Sequence, residues 1–302
     1  MTIAGYPPAK HILGDLGIET EVATLSTASA RLRANPYIAG ADGGVRAGVV
    51  ATLVDVVGGA VAIRSVLPDW MATADLTLQM VGPAVGPWVE ARATILRKGS
   101  TTLVVEASVC NVDEDGFEAA GPVGWATMTF TILPGGTATT MRTAPEELPV
   151  GWSFSGEGLG RPLVEELSID VVDAAAGQVS MPVHEYAANS FGAVQGGVMA
   201  LLAEVAGTQA LGTAHGPGGP PVVVTELLVT YLALGRVGPI ESRSTVFDPG
   251  AGHPPRHAVV ELVDAGADGR VTTVVTVGGS PAAGAPAAAV PSAAGPAVPT
   301  GA

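Results

Sequence analysis

Two carboxylates stand in this sequence where chemistry could be done. Asp55 and Glu204 each follow a glycine, Gly48 and Gly197, by seven residues, and each lies in an apolar run. The second run is preceded by Asn189-Ser190-Phe191-Gly192-Ala193-Val194-Gln195-Gly196. The valines, leucines and alanines around both carboxylates predict buried helices. An ionised carboxylate there is costly unless paired or hydrogen-bonded, and burial raises its pKa. A lone Asp in such a helix would ordinarily occupy an exposed stripe beside Thr52, but its recurrence as Glu204 argues for a use. The first backbone N–H groups of a helix lack partners and lie at its positive end. A glycine lets another group approach them, so a helix start can polarise a carbonyl and hold an oxyanion. The plainer reading of Gly196-Gly197, a tight turn into a crowded helix, stays open at this point.

Other chemistries find less support. The five histidines, His11, His184, His215, His253 and His257, show no zinc spacing, and Cys110 is the single cysteine, so no metal ligand set and no internal disulfide is expected. Gly151-Trp152-Ser153-Phe154-Ser155 lacks the closing glycine of a nucleophile elbow, and Gly216-Pro217-Gly218-Gly219 lacks the Lys-Ser/Thr of a phosphate loop. A formal net charge of −14 argues against a general nucleic-acid surface. Residues 1–10 lack a basic stretch followed by an apolar core, so a cytoplasmic location is expected. The longest apolar run, 47–63, is short for a membrane span and is interrupted by Asp55.

The elements that must position these residues occur twice. After a leader (1–14) expected to be loose and a weak strand signal over 16–33, a helix is expected from about Gly48 to Arg64. Strands follow over 71–80, 88–97, 101–112 and 117–133. A Gly-, Thr- and Pro-rich linker (134–160) follows. The pattern then restarts with strands at 167–172 and 178–183, a helix from Gly196 to about Gly212, and strands at 222–232, 240–247, 256–263 and 271–277. Gly48/Gly197 and Asp55/Glu204 are offset by 149, while Asp75/Glu226 and the segments 89–95/240–246 are offset by 151. A near-constant offset over four elements predicts two copies of one α+β fold, 15–133 and 161–280. Each is an antiparallel sheet wrapped around a central helix, and the two pair edge to edge about a pseudo-twofold axis. Residues 281–302, nearly all Ala, Pro and Gly, are expected to be a disordered tail.

This sequence resembles the tandem hotdog-fold proteins of the PaaI-like acyl-CoA thioesterase family. In that family's pattern an Asn stands six residues before a His or Gln followed by Gly-Gly, with an Asp or Glu nine residues after the His or Gln. Asn189, Gln195-Gly196-Gly197 and Glu204 fit it fully. The first copy fits through Gly48, Asp55 and its strand pattern, and departs at Arg46-Ala47 and at Gly40. The resemblance implies two tandem hotdog folds joined as a pseudo-dimer. It also implies thioester hydrolysis, with coenzyme A as part of the substrate, no separate cofactor, and association of the double units into a homo-oligomer.

Seven helical residues rise about 10 Å, so neither carboxylate reaches its own helix start. An antiparallel partner helix can bring its carboxylate there, and the resemblance implies the same composite site. The loop Asn189/Gln195/Gly196/Gly197 is therefore expected to serve Asp55. Glu204 should face the Arg46-Ala47-Gly48 loop in a degenerate second site. The Gly197 N–H would donate to the thioester carbonyl oxygen, and Asp55 would act as general base on water or as nucleophile. Asn189 would orient the water or the carbonyl. By the resemblance, Thr73 holds the position of a Ser or Thr that helps bind the water; the second copy has Val224 there. Arg97, Lys98 and Arg236 are candidates for the anionic coenzyme A, with Gly48 at the second helix start. The acyl tunnel is expected to be lined by Val, Ala and Leu with few aromatics. The competing reading is a non-catalytic acyl-CoA or acyl-ligand binding protein, motivated by Arg46-Ala47. A hotdog hydratase would want an Asp–His pair, and none is found.

Overall fold

A computed structural model describes residues 6–135, 147–216, 220–247 and 256–282. The first copy comprises α1 (Ile12–Asp15), β1 (Glu19–Val22), β2 (Thr27–Arg33), α2 (Ala47–Val66), β3 (Trp70–Met80), β4 (Trp88–Lys98), β5 (Thr102–Val112) and β6 (Glu118–Leu133). A further strand, β7 (Val150–Ser153), follows. The second copy comprises α3 (Leu163–Glu166), β8 (Asp170–Asp173), β9 (Gln178–Met181), α4 (Gly196–Ala214), β10 (Val222–Tyr231), β11 (Ile240–Phe247), β12 (His257–Asp264) and β13 (Arg270–Pro281).

Among the described residues the strands form one thirteen-stranded sheet in the order β7-β1-β2-β4-β5-β6-β3-β10-β13-β12-β11-β9-β8. Every pairing is antiparallel, and the two copies meet at β3 and β10. Thr77 lies opposite Leu228 in that pair, flanked by Leu76↔Val229 and Leu78↔Leu227. Thr77 and Leu228 are themselves equivalent by the 151-residue offset, so the pseudo-twofold axis passes between them. The sheet curls around α2 and α4, which also pack on each other. This is the tandem hotdog arrangement.

The core explains the apolar helices. Val49, Val50, Leu53, Val54, Val57 and Val61 of α2 are all fully buried. The helix runs twenty residues, from Ala47 to Val66, slightly beyond the expected Gly48 to Arg64. By length and composition alone α2 could cross a membrane, with a mean hydropathy of 1.8, but 72% of that window is buried inside the protein. The two helices cross through their glycines. A Cβ on Gly48 would lie 2.4 Å from the Leu201 Cα, and one on Gly197 would lie 2.5 Å from the Thr52 Cα. Real Cβ atoms do not approach backbone so closely, so glycine at these two positions sets the distance between the helices.

Several expected boundaries need correction. The leader is not loose at its end: Ile12, Leu13 and Gly14 are buried in α1, and the His11 Nε2 lies 2.8 Å from the Ala188 carbonyl oxygen. α1 is the repeat counterpart of α3 at the same 151-residue offset. One helical turn is too short to show a period in sequence. The expected linker contains β7, which pairs with β1 through Glu19↔Ser153 to Val22↔Val150. The weak signal over 16–33 is a hairpin of two short strands, β1 and β2. The expected strand at 167–172 begins only at Asp170, because Ser168 takes a positive φ of 54° after α3. Residues 1–5, the linker's 136–146, His253 and the tail's 283–302 lie outside the described residues.

Candidate active site

One face of α2 is not covered by the sheet. Asp55, Val56, Gly59, Ala60, Ile63, Arg64 and Leu67 recur at helical spacing and line a cavity of about 680 Å³. Twelve residues of helix give this wall a length of about 18 Å. A buried-looking helix can therefore carry a carboxylate because its less buried stripe faces a cavity.

Asp55 is held from β3. Thr73 Oγ1 donates to Asp55 Oδ1 at 2.8 Å. A bulge between Thr73 and Asp75 in the β3–β6 ladder lies beside this contact, and such bulges re-aim side chains. Burial pushes the Asp55 pKa up, and the Thr73 hydrogen bond partly offsets this.

The second copy brings the helix start. Gln195 is the N-cap of α4, and the first bond within the helix runs from Met199 N–H to the Gln195 carbonyl. By position, the N–H groups of Gly196, Gly197 and Val198 have no acceptor within the helix. A Cβ placed on Gly196 would lie 3.2 Å from Asp55 Oδ2, so the carboxylate of one copy stands against the helix start of the other. Gln195 does not turn toward Asp55; its Nε2 donates to the Tyr6 hydroxyl at 2.8 Å. Asn189 lines the cavity, but its Oδ1 is committed to the loop, accepting from Phe191 N–H (2.9 Å) and Ala193 N–H (3.2 Å). Its Nδ2 is the part left to meet a ligand.

Comparison with known proteins bears on this geometry. The sequence profile of the thioesterase superfamily matches residues 43–117 and 191–249. The first segment contains Gly48, Asp55 and Thr73, and the second contains Gly196, Gly197 and Glu204. A protein of Halobacterium salinarum named "Putative esterase" is 34% identical over 114 residues, which are 35% of this chain and 74% of that one. The chain belongs to the thioesterase superfamily. Among solved structures, an acyl-ACP thioesterase from Bacteroides thetaiotaomicron aligns with a TM-score of 0.52 at 13% identity, over 84% of this chain and 98% of that one. An oleoyl thioesterase (putative) from Lactobacillus plantarum aligns with a TM-score of 0.52 at 11% identity, over 86% and 97%. At these identities the two structures bear on the fold alone, and they extend the superfamily's fold over both copies.

The superfamily motif is split unequally between the two composite sites. At the second, Glu204 accepts the Gly48 N–H on Oε2 at 2.6 Å, and Arg46 Nη1 lies 3.6 Å from Oε1. Glu204 is only 4% exposed. Its own carboxylate thus occupies the helix-start donor that a thioester carbonyl would need. Asp55 is one methylene shorter than Glu204 and carries no bond to Gly197. Arg46, Ala47 and Met80 stand where the first site has Gln195, Gly196 and Tyr231. A cavity of about 740 Å³ adjoins Glu204, but its carboxylate is locked in an ion pair. Burial raises the Glu204 pKa, outweighing the lowering by Arg46 and Gly48 N–H. Glu204 and Gly48 are therefore bonded to each other across the two copies.

The cations expected to meet coenzyme A lie outside the cavity lining. None of Arg97, Lys98 and Arg236 lines the Asp55 cavity; Arg64 does. Lys98 Nζ donates to the Ser65 carbonyl, which places it beside Arg64 at the end of α2. The Arg236 N–H donates to Asp264 Oδ2 at 2.8 Å, in a turn just beyond the cavity residues Leu234 and Gly235.

The expectation of few aromatics is overturned. The chain has four tryptophans, four tyrosines and five phenylalanines. Six of these thirteen line the Asp55 cavity: Tyr6, Trp70, Trp152, Phe154, Phe191 and Tyr231. Trp70 and Phe191 meet edge to face across the two copies, 6.2 Å between ring centres. Tyr6, Trp152 and Phe154 come from segments outside the repeat as read from sequence. Trp70, Phe191 and Tyr231 have Pro221, Asp42 and Met80 as their counterparts. The available signal was that these aromatics break the repeat.

Proposed function

We propose that this protein hydrolyses acyl-CoA thioesters at the Asp55 site, with an aromatic or similarly planar acyl group in the cavity. The observation that carries the reading is the convergence of an ionisable carboxylate and unpaired helix-start N–H groups on one cavity, while the equivalent pair across the pseudo-twofold is closed on itself. Superfamily membership supports acyl-thioester hydrolysis in general. The aromatic wall favours a planar acyl group, because ring faces and edges pack on one another with defined geometry. Arg64, with Lys98 beside it, gives the anionic carrier a cationic contact. Coenzyme A thioesters, as substrates, agree with a cytoplasmic protein.

The chemistry follows from the geometry. The carbonyl oxygen accepts the Gly197 N–H at the positive end of α4. Asp55 takes a proton from water as the water oxygen bonds to the carbonyl carbon, and the π pair moves onto the carbonyl oxygen. Collapse restores the C=O, breaks the C–S bond, and the departing thiolate takes the proton from Asp55. Direct attack by Asp55 through an anhydride uses the same donors. The binding-only reading rested on Arg46-Ala47, and those residues belong to the closed Glu204 site.

The test is thiol release from aromatic and straight-chain acyl-CoAs of matched size, using the full-length protein. Turnover is expected, with kcat/KM highest for the aromatic members. No thiol release above background from any of them sinks the hydrolase reading, and a preference for straight chains sinks the acyl assignment. The pH profile carries a second expectation. Asp55 must be ionised to act, and burial raises its pKa, so activity falls with acid above the usual carboxylate range. Thr73→Val removes a hydrogen bond that favours the ionised form, so the acid limb of kcat/KM moves to higher pH, and Thr73→Ser restores it. An unmoved limb in Thr73→Val would remove Thr73 from the site.

A further inference from the structure

Tyr231 ends β10, and its hydroxyl is buried with no hydrogen-bond partner among the described residues. A buried hydroxyl in that condition costs stability. Its position gives it a use. The point where a Gly196 Cβ would stand lies 2.9 Å from Tyr231 Oη and 3.2 Å from Asp55 Oδ2. The hydroxyl, the carboxylate and the first turn of α4 therefore surround one small volume on the cavity wall. In the closed site the repeat places Met80 at the Tyr231 position and Ala47 at the Gly196 position. The hydroxyl and the space in front of it are thus present only at the site whose helix-start donors are open.

We infer that the Tyr231 hydroxyl donates a hydrogen bond to the thioester carbonyl oxygen, and to the oxyanion formed on attack, as a second donor beside the Gly197 N–H. The inference rests on the acyl-thioester hydrolase reading and adds a catalytic residue to it. Burial and the nearby Asp55 charge hold the Tyr231 phenol well above its usual range. It stays protonated at neutral pH and remains a donor. Two donors of different origin, one from the backbone of α4 and one from the end of β10, fix the carbonyl in the plane Asp55 must approach. The unpaired hydroxyl is stabilised only once the substrate arrives, and most when its oxygen carries charge, so its effect falls on the transition state.

The test is Tyr231→Phe, which deletes one oxygen. Loss of a single oxyanion donor predicts a fall in kcat of about 10²- to 10³-fold with a much smaller change in KM. A merely structural hydroxyl would not give that split. The melting temperature should stay level or rise, because an unpartnered buried hydroxyl is removed. A second measurement needs no turnover: the infrared carbonyl stretch of a bound ketone analogue, with CH₂ replacing the thioester sulfur. It should lie at lower frequency in the wild type than in Tyr231→Phe. A variant that keeps kcat within about threefold, or an identical carbonyl stretch in both proteins, overturns the inference while leaving the hydrolase reading standing. A wild type that neither hydrolyses acyl-CoA nor binds the analogue overturns both.

Discussion

Asp55→Asn is expected to lower kcat for acyl-thioester hydrolysis by about 10³-fold or more, since it removes the base or nucleophile of the proposed site. The amide keeps the shape of the side chain and can still accept from Thr73 Oγ1, which sits 2.8 Å from the native carboxylate. The loss is therefore chemical rather than structural. Stability should move the other way. Burial raises the Asp55 pKa in the folded protein, so the folded state holds its proton more tightly than the unfolded chain does. The wild type then loses stability as pH rises from the unfolded carboxylate value through the raised folded value. Asp55→Asn lacks that penalty. Its melting temperature should exceed the wild type's at pH 8 and converge with it near pH 4. Thermal melts at the two pH values check this, and near-wild-type turnover by Asp55→Asn would end the site assignment.

Glu204→Ala should show the reverse profile: a loss of about 2–4 kcal/mol of stability, with kcat per folded molecule within about threefold of wild type. The substitution leaves the Gly48 N–H without its acceptor and Arg46 without its countercharge, and opens space at the crossing of α2 and α4. Glu204→Gln should lose less, because its amide oxygen can still accept from Gly48. Chemical denaturation and active-site-normalised turnover separate the two effects. If Glu204→Ala abolished hydrolysis in a folded protein while Asp55→Asn remained active, the open and closed sites would have been assigned the wrong way round. Together the pair of variants tests whether a pseudo-symmetric molecule uses its two carboxylates for different ends.

The physical basis of that asymmetry is small. Both carboxylates lie seven residues into equivalent helices, and both are carried across the pseudo-twofold to the other copy's helix start. Glutamate has the extra methylene that closes on the Gly48 N–H, and Arg46 at the N-cap holds it there. Aspartate stops short and is held back by Thr73 from β3. Val224, at the Thr73 position of the second copy, offers no such bond. One side chain's reach thus separates an ion-paired plug from an open site.

Local pattern made the helices, most strands and the tandem repeat legible in the sequence, because side-chain periodicity and turn residues act over a few positions. The constant offset revealed the pseudo-symmetry, the rise of an α-helix separated each carboxylate from its own helix start, and the family resemblance implied the composite site across the two copies. Asp55 and Gly196 were named from those facts, Asn189 and Thr73 from the family resemblance, and all four line the cavity. Only the tertiary structure decided what surrounds them. Tyr6, Trp152 and Phe154 reach the cavity from stretches without periodicity, placed by the pairing of β7 with β1 and by Gln195 on Tyr6. Arg64 lines the cavity wall because the stripe from Asp55 to Leu67 is the face the sheet leaves uncovered. Asn189 Oδ1 proved to brace its loop. That Glu204 closes on the Gly48 N–H, and that an unpartnered Tyr231 hydroxyl stands near Asp55, follow from distances between elements far apart in the chain. Those distances are set by the close packing of α2 on α4 at Gly48 and Gly197, which no local pattern encodes.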